Sequence, residues 1–205
     1  MNRIILVSLL VSMLHYSSMA QDTGARFSDL SRPEIWWVFW HPFKAKKALT
    51  CSLETLRVTD SIGRTGLIGN DKNGGRLDAF KHAYWMAELS LKIGETSALK
   101  LGEAHEKGNY QTFKKGQLED GFLPDKPSSD MDLYNNKVGA SISKAYTAQN
   151  NLIDLVIEAC HQGDLRVLKK KGSIFLSCNG QPVPRQDLLL KWDNDKCMIP
   201  SNQGP

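Results

Sequence analysis

Small and apolar residues recur every three to four positions along most of the chain, which is the period of an amphipathic helix. Pro42 suits the first turn of the earliest helix, and the stretch 152–160 is almost wholly apolar up to the helix stop Gly163. The four stripes are Ala45, Ala48, Leu49, Ser52 and Leu56; Leu77, Phe80, Tyr84, Ala87 and Leu91; Ala98, Leu101 and His105; and Met131, Tyr134, Val138, Ile142 and Ala145. The pattern therefore predicts a mainly α fold, a compact helical domain.

The C-terminal part of the chain has a different pattern. Residues 173–178 are typical of a strand, and Asn179-Gly180 is a strong hairpin signal. We therefore expect a small β-hairpin appendage at about 173–197, preceded by a short basic helix. The basic run 169–171 is interpreted as the solvated end of that helix rather than as a nucleic-acid footprint.

A long connection separates two of the predicted helices. Residues 109–129 show no period, Gly108-Asn109 predicts a helix break before them, and Ser129 or Asp130 predicts a cap after them. Because connections of this length inside a domain often serve as lids, we expect this loop to gate a site.

The N-terminus predicts export. Arg3, the apolar run 4–14 and the small residues ending at Ala20 are typical of a secretory signal peptide over residues 1–20. The run is too short to span a bilayer, and no later stretch predicts a transmembrane helix. We expect one mainly helical domain over 21–205, periplasmic or secreted. A net charge of +4 is only mildly basic and indicates no specific nucleic-acid binding.

The four cysteines follow the predicted signal peptide, and an even number in an exported chain favours disulfides. Three pairings are open. We prefer Cys178–Cys197, which would clip the C-terminal segment to itself, together with Cys51–Cys160. The spacings are too long for a cysteine zinc site.

The segment 35–43 holds three of the five tryptophans, Trp36, Trp37 and Trp40. One interpretation is a segment that buries its aromatic side chains in the core. The other is an aromatic patch that contacts a membrane surface, a sugar or a base.

Three short segments place polar residues on helices where core packing would not favour them. Asp78 and His82 are one helical turn apart, His105 and Glu106 are adjacent, and Asp132 precedes two amides by one turn. Imidazole and carboxylate groups on successive helices are the ligands of metal centres in helical bundles. We therefore predict a zinc or manganese site with the ligands Asp78, His82, His105 and Asp132, with Glu106 as general base, and with Asn135 and Asn136 orienting substrate or water.

The same segments carry a family resemblance. They are DAFKHAYW at 78–85, GEAHE at 102–106 and MDLYNNKVG at 131–139. Over about residues 73–142 the chain resembles a family of uncharacterised bacterial exported domains with the pattern D-A-F-R-H-A-x-W, A-H-E and M-D-L-x-N-N-x-V-G. This chain has Lys81 where that family usually has arginine. This family occurs as short secreted proteins and at the end of wall-associated or toxin-like chains. The resemblance implies a shared site at these segments and no particular reaction.

These features lead to two functional expectations. The first is an exported metal-dependent hydrolase acting on phosphodiesters or phospholipids, because helical phosphohydrolases and secreted zinc phospholipases also place histidine and carboxylate ligands on helices. The second is a non-catalytic envelope or binding domain in which the polar cluster is a structural network or binds a structural metal. Carboxylate and amide oxygens suit calcium, but two histidines do not.

Overall fold

The computed structural model describes residues 30–119, 121–147 and 149–204, so the predicted signal peptide over residues 1–20 lies outside the described residues. From Ser31 onward the described chain is mainly helical, which confirms the predicted fold class. Its α-helices are α1 (Arg32–Trp40), α2 (Pro42–Thr65), α3 (Arg76–Ile93), α4 (Glu95–Lys114), α5 (Lys126–Ala145), α6 (Leu152–Gln162) and α7 (Arg185–Leu190).

Within the described residues, four short strands form two small antiparallel sheets. They are β1 (Arg166–Leu168), β2 (Lys170–Lys171), β3 (Ile174–Phe175) and β4 (Met198–Pro200), and a 3₁₀ helix follows at Ser201–Gln203. β1 pairs with β4, with Val167 opposite Ile199, and β2 pairs with β3, with Lys170 opposite Phe175. The β structure lies near the C-terminus as predicted, but it begins earlier in the chain.

Helix α3 is the centre of the fold, since α2, α4, α5 and α6 all pack on it. Leu77 and Phe80 of the predicted stripe are fully buried, whereas Leu91 at its end is exposed. The closest approach is between α3 and α5. A Cβ atom built on Gly139 would lie 2.1 Å from the carbonyl oxygen of Ala83, so only glycine allows the two backbones to touch.

The predicted loop over 109–129 is shorter than expected, because both flanking helices continue into it. Helix α4 continues through Gly108, and Ser31 fills the space that a side chain at Gly108 would occupy. It also includes the next residue, buried Asn109, which donates a hydrogen bond to Glu106. Helix α5 begins at Lys126 because the Asp125 side chain caps it by accepting from the Ser128 amide at 3.0 Å. The connection is therefore 115–125.

The predicted basic helix before the hairpin is wrong, because residues 166–168 form strand β1. The amide of Asn135 pairs with both the N–H and the carbonyl of Arg166, and Val167 and Leu168 are fully buried. The basic run is not a solvated helix end: the Lys170 side chain is 5% exposed and lies 2.7 Å from the Asp71 carboxylate. The predicted turn does form, with Gly180 at φ 85° and an isolated bridge between Leu176 and Pro182.

One of the two preferred cysteine pairs is present. Cys178 and Cys197 form a disulfide, whereas Cys51 and Cys160 are free, buried thiols, so the predicted Cys51–Cys160 bridge is wrong. Cys51 packs beside Met86 and Leu89, and Cys160 packs beside Val156 and Leu165 in a separate hydrophobic cluster. The two thiols belong to different parts of the core, which the spacing of cysteines along the chain cannot reveal.

The tryptophans of α1 divide between core and surface. Trp37 is buried and donates from Nε1 to the carbonyl of Ser97 at 3.1 Å, whereas Trp36 and Trp40 are exposed. Trp37 therefore does not belong to the predicted membrane contact. Among the described residues, no helix is long and apolar enough to cross a membrane.

Candidate metal centre

Three helices bring one polar side chain each to a common point. His82 of α3, Glu106 of α4 and Asp132 of α5 offer ligand atoms that all lie within 4.8 Å of one another. All three residues are buried, with exposures of 5, 6 and 8%. The three sequence segments that suggested a site thus do converge in space.

Small residues make this convergence possible. Gly139 lies two turns after Asp132 on α5 and contacts the backbone of Ala83, the residue next to His82. On α4, Gly102 lies one turn before Glu106, and a Cβ atom there would come within 2.8 Å of Asn136. The glycines therefore set the spacing of the three helices at the level of the cluster.

Several polar atoms of the cluster have no hydrogen-bond partner within the part of the chain that the structure describes. His82 Nε2 lies 3.3 Å from Asp132 Oδ1, but the alignment is too poor for a hydrogen bond. His82 Nδ1 and Glu106 Oε1 are likewise buried without a partner. Buried polar atoms are almost always paired, so a group of unpaired ones at one point needs an explanation, which either an ordered water or a bound ion would supply.

Asp78 lies at the edge of the cluster and has partners of its own. Its Oδ2 accepts from the Gly74 amide at 2.8 Å, and its Oδ1 lies 3.0 Å from Lys81 Nζ and 3.8 Å from His82 Nε2. The predicted ligand Asp78 is thus adjacent to the three convergent side chains rather than one of them.

The electrostatics favour a cation at the cluster. Burial raises the pKa of Asp132 well above its ordinary value, and the charges of Asp78 and Glu106 raise it further. Burial also raises the pKa of Glu106, and it lowers the pKa of His82 well below its ordinary value, assisted by the nearby charges of Lys81 and His105. A bound cation would favour the ionised forms of these two carboxyl groups, and a neutral imidazole can serve as its ligand.

The structure places the predicted ligand His105 in a different role. Its Nδ1 lies 3.1 Å from Glu34 of α1, and its Nε2 lies 3.1 Å from Glu119 of the 115–125 connection. Burial lowers the pKa of His105, but the hydrogen bonds to Glu119 and Glu34 and the charge of Glu106 outweigh it and hold the pKa well above its ordinary value. His105 is therefore a cation clamped between two carboxylates, its ring 6.4 Å from that of His82.

Glu34 and Glu119 were not predicted from the sequence. Glu34 is 71 residues from His105, and it also closes a capping box with Ser31 at the start of α1. A capping-box glutamate is normally interpreted as a helix start and nothing more. The only feature of the sequence that pointed to Glu119 was its position in the long connection predicted over 109–129.

The two predicted amides have different surroundings. The Asn135 side chain makes two hydrogen bonds to the backbone of Arg166. It donates to the carbonyl at 2.9 Å and accepts from the N–H at 2.8 Å. Asn136 is 1% exposed, and neither its oxygen nor its nitrogen has a partner among the described residues. Of the two, Asn136 is the amide with free hydrogen-bonding capacity.

A narrow pocket of about 60 Å³ leads to the cluster. It is lined by Asp78, His82 and Asp132 at its base, and by Glu119, Phe122 and Pro124 of the 115–125 connection. A volume of about 60 Å³ accommodates roughly two waters, because liquid water takes up about 30 Å³ per molecule. A second groove of about 510 Å³ shares Asn73 and Phe122 with this pocket, so a larger molecule could lie beside it.

The donor set fits a divalent metal ion. One imidazole and two carboxylates are ligands that zinc and manganese accept, and three protein ligands leave a coordination position open. The unpaired buried atoms of His82, Glu106 and Asp132 are the observation that supports this fit.

Comparison with known proteins defines the family. Residues 35–164, well over half of the chain, match the model of a domain of unknown function, DUF6973, and the chain belongs to this family. This agrees with the resemblance to an uncharacterised domain family, although it does not test the motif pattern. A search of the curated proteins found no match, and neither did a search of the solved structures.

Proposed function

We propose that the protein is an exported metal-dependent hydrolase whose centre is formed by His82, Glu106 and Asp132. The observation that carries the proposal is the convergence of three buried ligand atoms within 4.8 Å, all on residues with unpaired polar atoms. The Cys178–Cys197 disulfide is compatible with export. Zinc or manganese is the proposed ion.

In this proposal three side chains bind the ion and a fourth accepts a proton. A divalent ion supplies Lewis-acid activation of water at neutral pH. His82, Glu106 and Asp132 hold the ion, so Glu106 is a ligand and not the base expected from the sequence. Glu119 becomes the proton acceptor, because it lines the pocket and its side chain is 31% exposed, which lets it pass a proton to solvent.

The substrate is proposed to be an anionic ester. Lys72 and Lys81 line the pocket, where Lys72 pairs with Asp60 and Lys81 lies 3.0 Å from Asp78, so a phosphate oxygen would share a lysine with a carboxylate. We retain phosphodiesters and phospholipids as the two classes. Phospholipids are retained because α1 exposes Trp36 and Trp40, the kind of side chain found at membrane interfaces.

The test measures metal content and turnover on matched variants. Wild type should hold about one equivalent of zinc or manganese, and Asp132→Asn should lose it, because a ligand oxygen that carries charge is replaced by an amide. Asp130→Asn is the control, since Asp130 is exposed on the same helix and pairs with Lys126. Elemental analysis and hydrolysis of an activated phosphodiester are the readouts.

The Glu119→Gln variant separates binding from chemistry. It should keep the ion and lose about 10²–10⁴-fold in rate, the range that removal of a general base costs. Equal metal content in Asp132→Asn and Asp130→Asn would contradict the ligand set, and equal rates in wild type and Glu119→Gln would contradict the role of Glu119.

The second candidate is a non-catalytic envelope or binding domain with a structural ion. The burial of all three donors and the small pocket favour it, because structural sites are closed to substrate. A protein that binds the ion but shows no turnover of phosphodiesters or phospholipids would favour this candidate.

A further inference from the structure

Helix α1 and the start of α2 present a second apolar surface besides the one that faces the core. The outward side chains are four aromatic residues in the i, i+3, i+4, i+7 pattern, which we call the aromatic face. They are Trp36, Phe39, Trp40 and Phe43, with exposures of 62, 65, 71 and 94%. The opposite side of α1 is already used: Trp37 is buried, and Glu34 holds His105.

Three of the four side chains of the aromatic face, those of Trp36, Phe39 and Trp40, form one contiguous cluster. The ring centroids of Trp36 and Phe39 are 5.8 Å apart, and those of Phe39 and Trp40 are 5.2 Å apart, both in edge-on contact. Soluble monomers rarely expose large contiguous apolar patches unless the patch binds something. This arrangement therefore indicates a partner for the surface.

The exposed charges that lie next to the aromatic face along the chain are all basic. Between residues 32 and 53 the only acidic residue is Glu34, which points inward to His105. Arg32, Lys46 and Lys47 are exposed, and within the described ranges no ion pair involves them. An apolar aromatic cluster with an unneutralised basic border is complementary to an anionic, partly apolar surface.

We propose that the aromatic face docks the protein on the surface of an anionic lipid bilayer. Tryptophan and phenylalanine would enter the interface between headgroups and acyl chains, and Arg32, Lys46 and Lys47 would face the lipid phosphates. No described helix can cross a membrane, and in this proposal the protein lies on the surface of the bilayer. Neither the pocket at the cluster nor the groove beside it is lined by a residue of α1.

The docking proposal does not depend on the metal centre, although the phospholipid substrate class uses the same exposed tryptophans. It depends on α1 and the first turn of α2 and not on His82, Glu106 or Asp132. Its test measures lipid binding and not turnover, so either proposal can fail alone.

The experiment is vesicle co-sedimentation of the purified chain, with its N-terminus determined by mass spectrometry. Vesicles of equal parts phosphatidylglycerol and phosphatidylcholine are compared with vesicles of phosphatidylcholine alone. Wild type should bind the anionic vesicles more strongly, and salt should weaken the binding. The Trp36→Ala/Phe39→Ala/Trp40→Ala variant should partition about 100-fold more weakly, because three large apolar side chains no longer leave water.

Two variants test the charges and two serve as matched controls. Lys46→Glu/Lys47→Glu should weaken binding to anionic vesicles by at least about 25-fold, whereas Lys137→Glu/Lys171→Glu makes the same charge change elsewhere and should have little effect. The control for apolar surface is Leu189→Ser/Leu190→Ser, since these leucines of α7 are 53 and 68% exposed. Circular dichroism checks that each variant folds.

Three outcomes would overturn the proposal. The first is wild-type binding that the aromatic triple variant retains, which would assign the binding to another part of the chain. The second is that Leu189→Ser/Leu190→Ser weakens vesicle binding as much as the aromatic triple variant does. The third is absence of vesicle binding together with a dimer in sedimentation velocity that the aromatic variant abolishes, which would assign the face to a second copy.

Discussion

The crossing of α3 and α5 gives the sharpest test of the fold and the site together, through the substitution Gly139→Ala. The new Cβ atom would lie 2.1 Å from the carbonyl oxygen of Ala83 and 2.9 Å from its Cα, whereas ordinary contact begins at 3.4 Å. Both partners are helix backbone, so no side chain can rotate away. The helices would have to separate by about 1.3 Å at this point.

The expected cost follows from that geometry. Overpacking a well-packed interior costs up to about 3 kcal/mol, and the backbone clash argues for the upper end of this range. Alanine is the better helix former by about 1 kcal/mol, which offsets part of the cost. The net cost is therefore about 2 kcal/mol, and because each kcal/mol lowers the Tm of a domain of this size by about 2–4 °C, we expect Tm to fall by about 4–8 °C.

The matched control is Gly63→Ala in α2. Its Cβ would also meet an atom at 2.8 Å, but that atom is the Cδ2 of Leu77, the end of a flexible side chain. Thermal unfolding followed by circular dichroism should therefore give a Tm near that of wild type for Gly63→Ala and a much lower one for Gly139→Ala. The reasoning is refuted if the two variants have the same Tm.

The same substitution should disturb the candidate centre. Gly139 sets the distance between the helices that carry His82 and Asp132, and metal–ligand distances tolerate only about 0.2 Å. Folded Gly139→Ala should therefore bind zinc or manganese about tenfold more weakly or worse, as disturbances outside the ligand set do in other metal sites. Unchanged affinity would show that the three side chains do not form the site.

Two further predictions concern the cysteines and the junction of α5 with β1. Burial raises the pKa of Cys51 and Cys160 to about 11, so a thiol reagent at pH 8 should find almost no reactive thiol in the native protein, two after denaturation and four after reduction. Zero free thiols in the denatured, unreduced protein would contradict the assignment. Asn135→Ala should lower the free energy of unfolding by about 2–3 kcal/mol, because the N–H and carbonyl of Arg166 both lose their buried partner. Asn179→Ala in the exposed turn is its control, and equal urea midpoints for the two variants would contradict this role.

Local patterns were sufficient for the helices and for the neighbourhood of the site. The apolar period of 3.6 residues and helix stops such as Gly94 and Gly163 act over a few residues, so the sequence alone indicated a mainly helical domain. The segments around His82, Glu106 and Asp132 stood out because polar residues occupied positions on helices that should face a core. The side chains of His82, Glu106 and Asp132 lie close together in space, and that they bind an ion is still a prediction.

Helix ends and strand β1 depended on contacts that the local sequence does not contain. Helix α4 continues through Gly108 because Ser31, 77 positions earlier in the chain, fills the space. Residues 166–168 become a strand because Asn135 pairs with the backbone of Arg166 and because β4 arrives from the end of the chain. Local preference is weak, and tertiary packing overrides it at such positions.

Partner choice was settled only by the tertiary structure. Four cysteines allow three pairings, and Cys51 and Cys160 stay apart because they belong to different clusters of the core. His105 looked like a ligand from its sequence neighbours, but Glu34 and Glu119 take both of its nitrogens. Sequence determined which side chains are chemically able to interact, while the packing of distant segments determined which of them are close enough to do so.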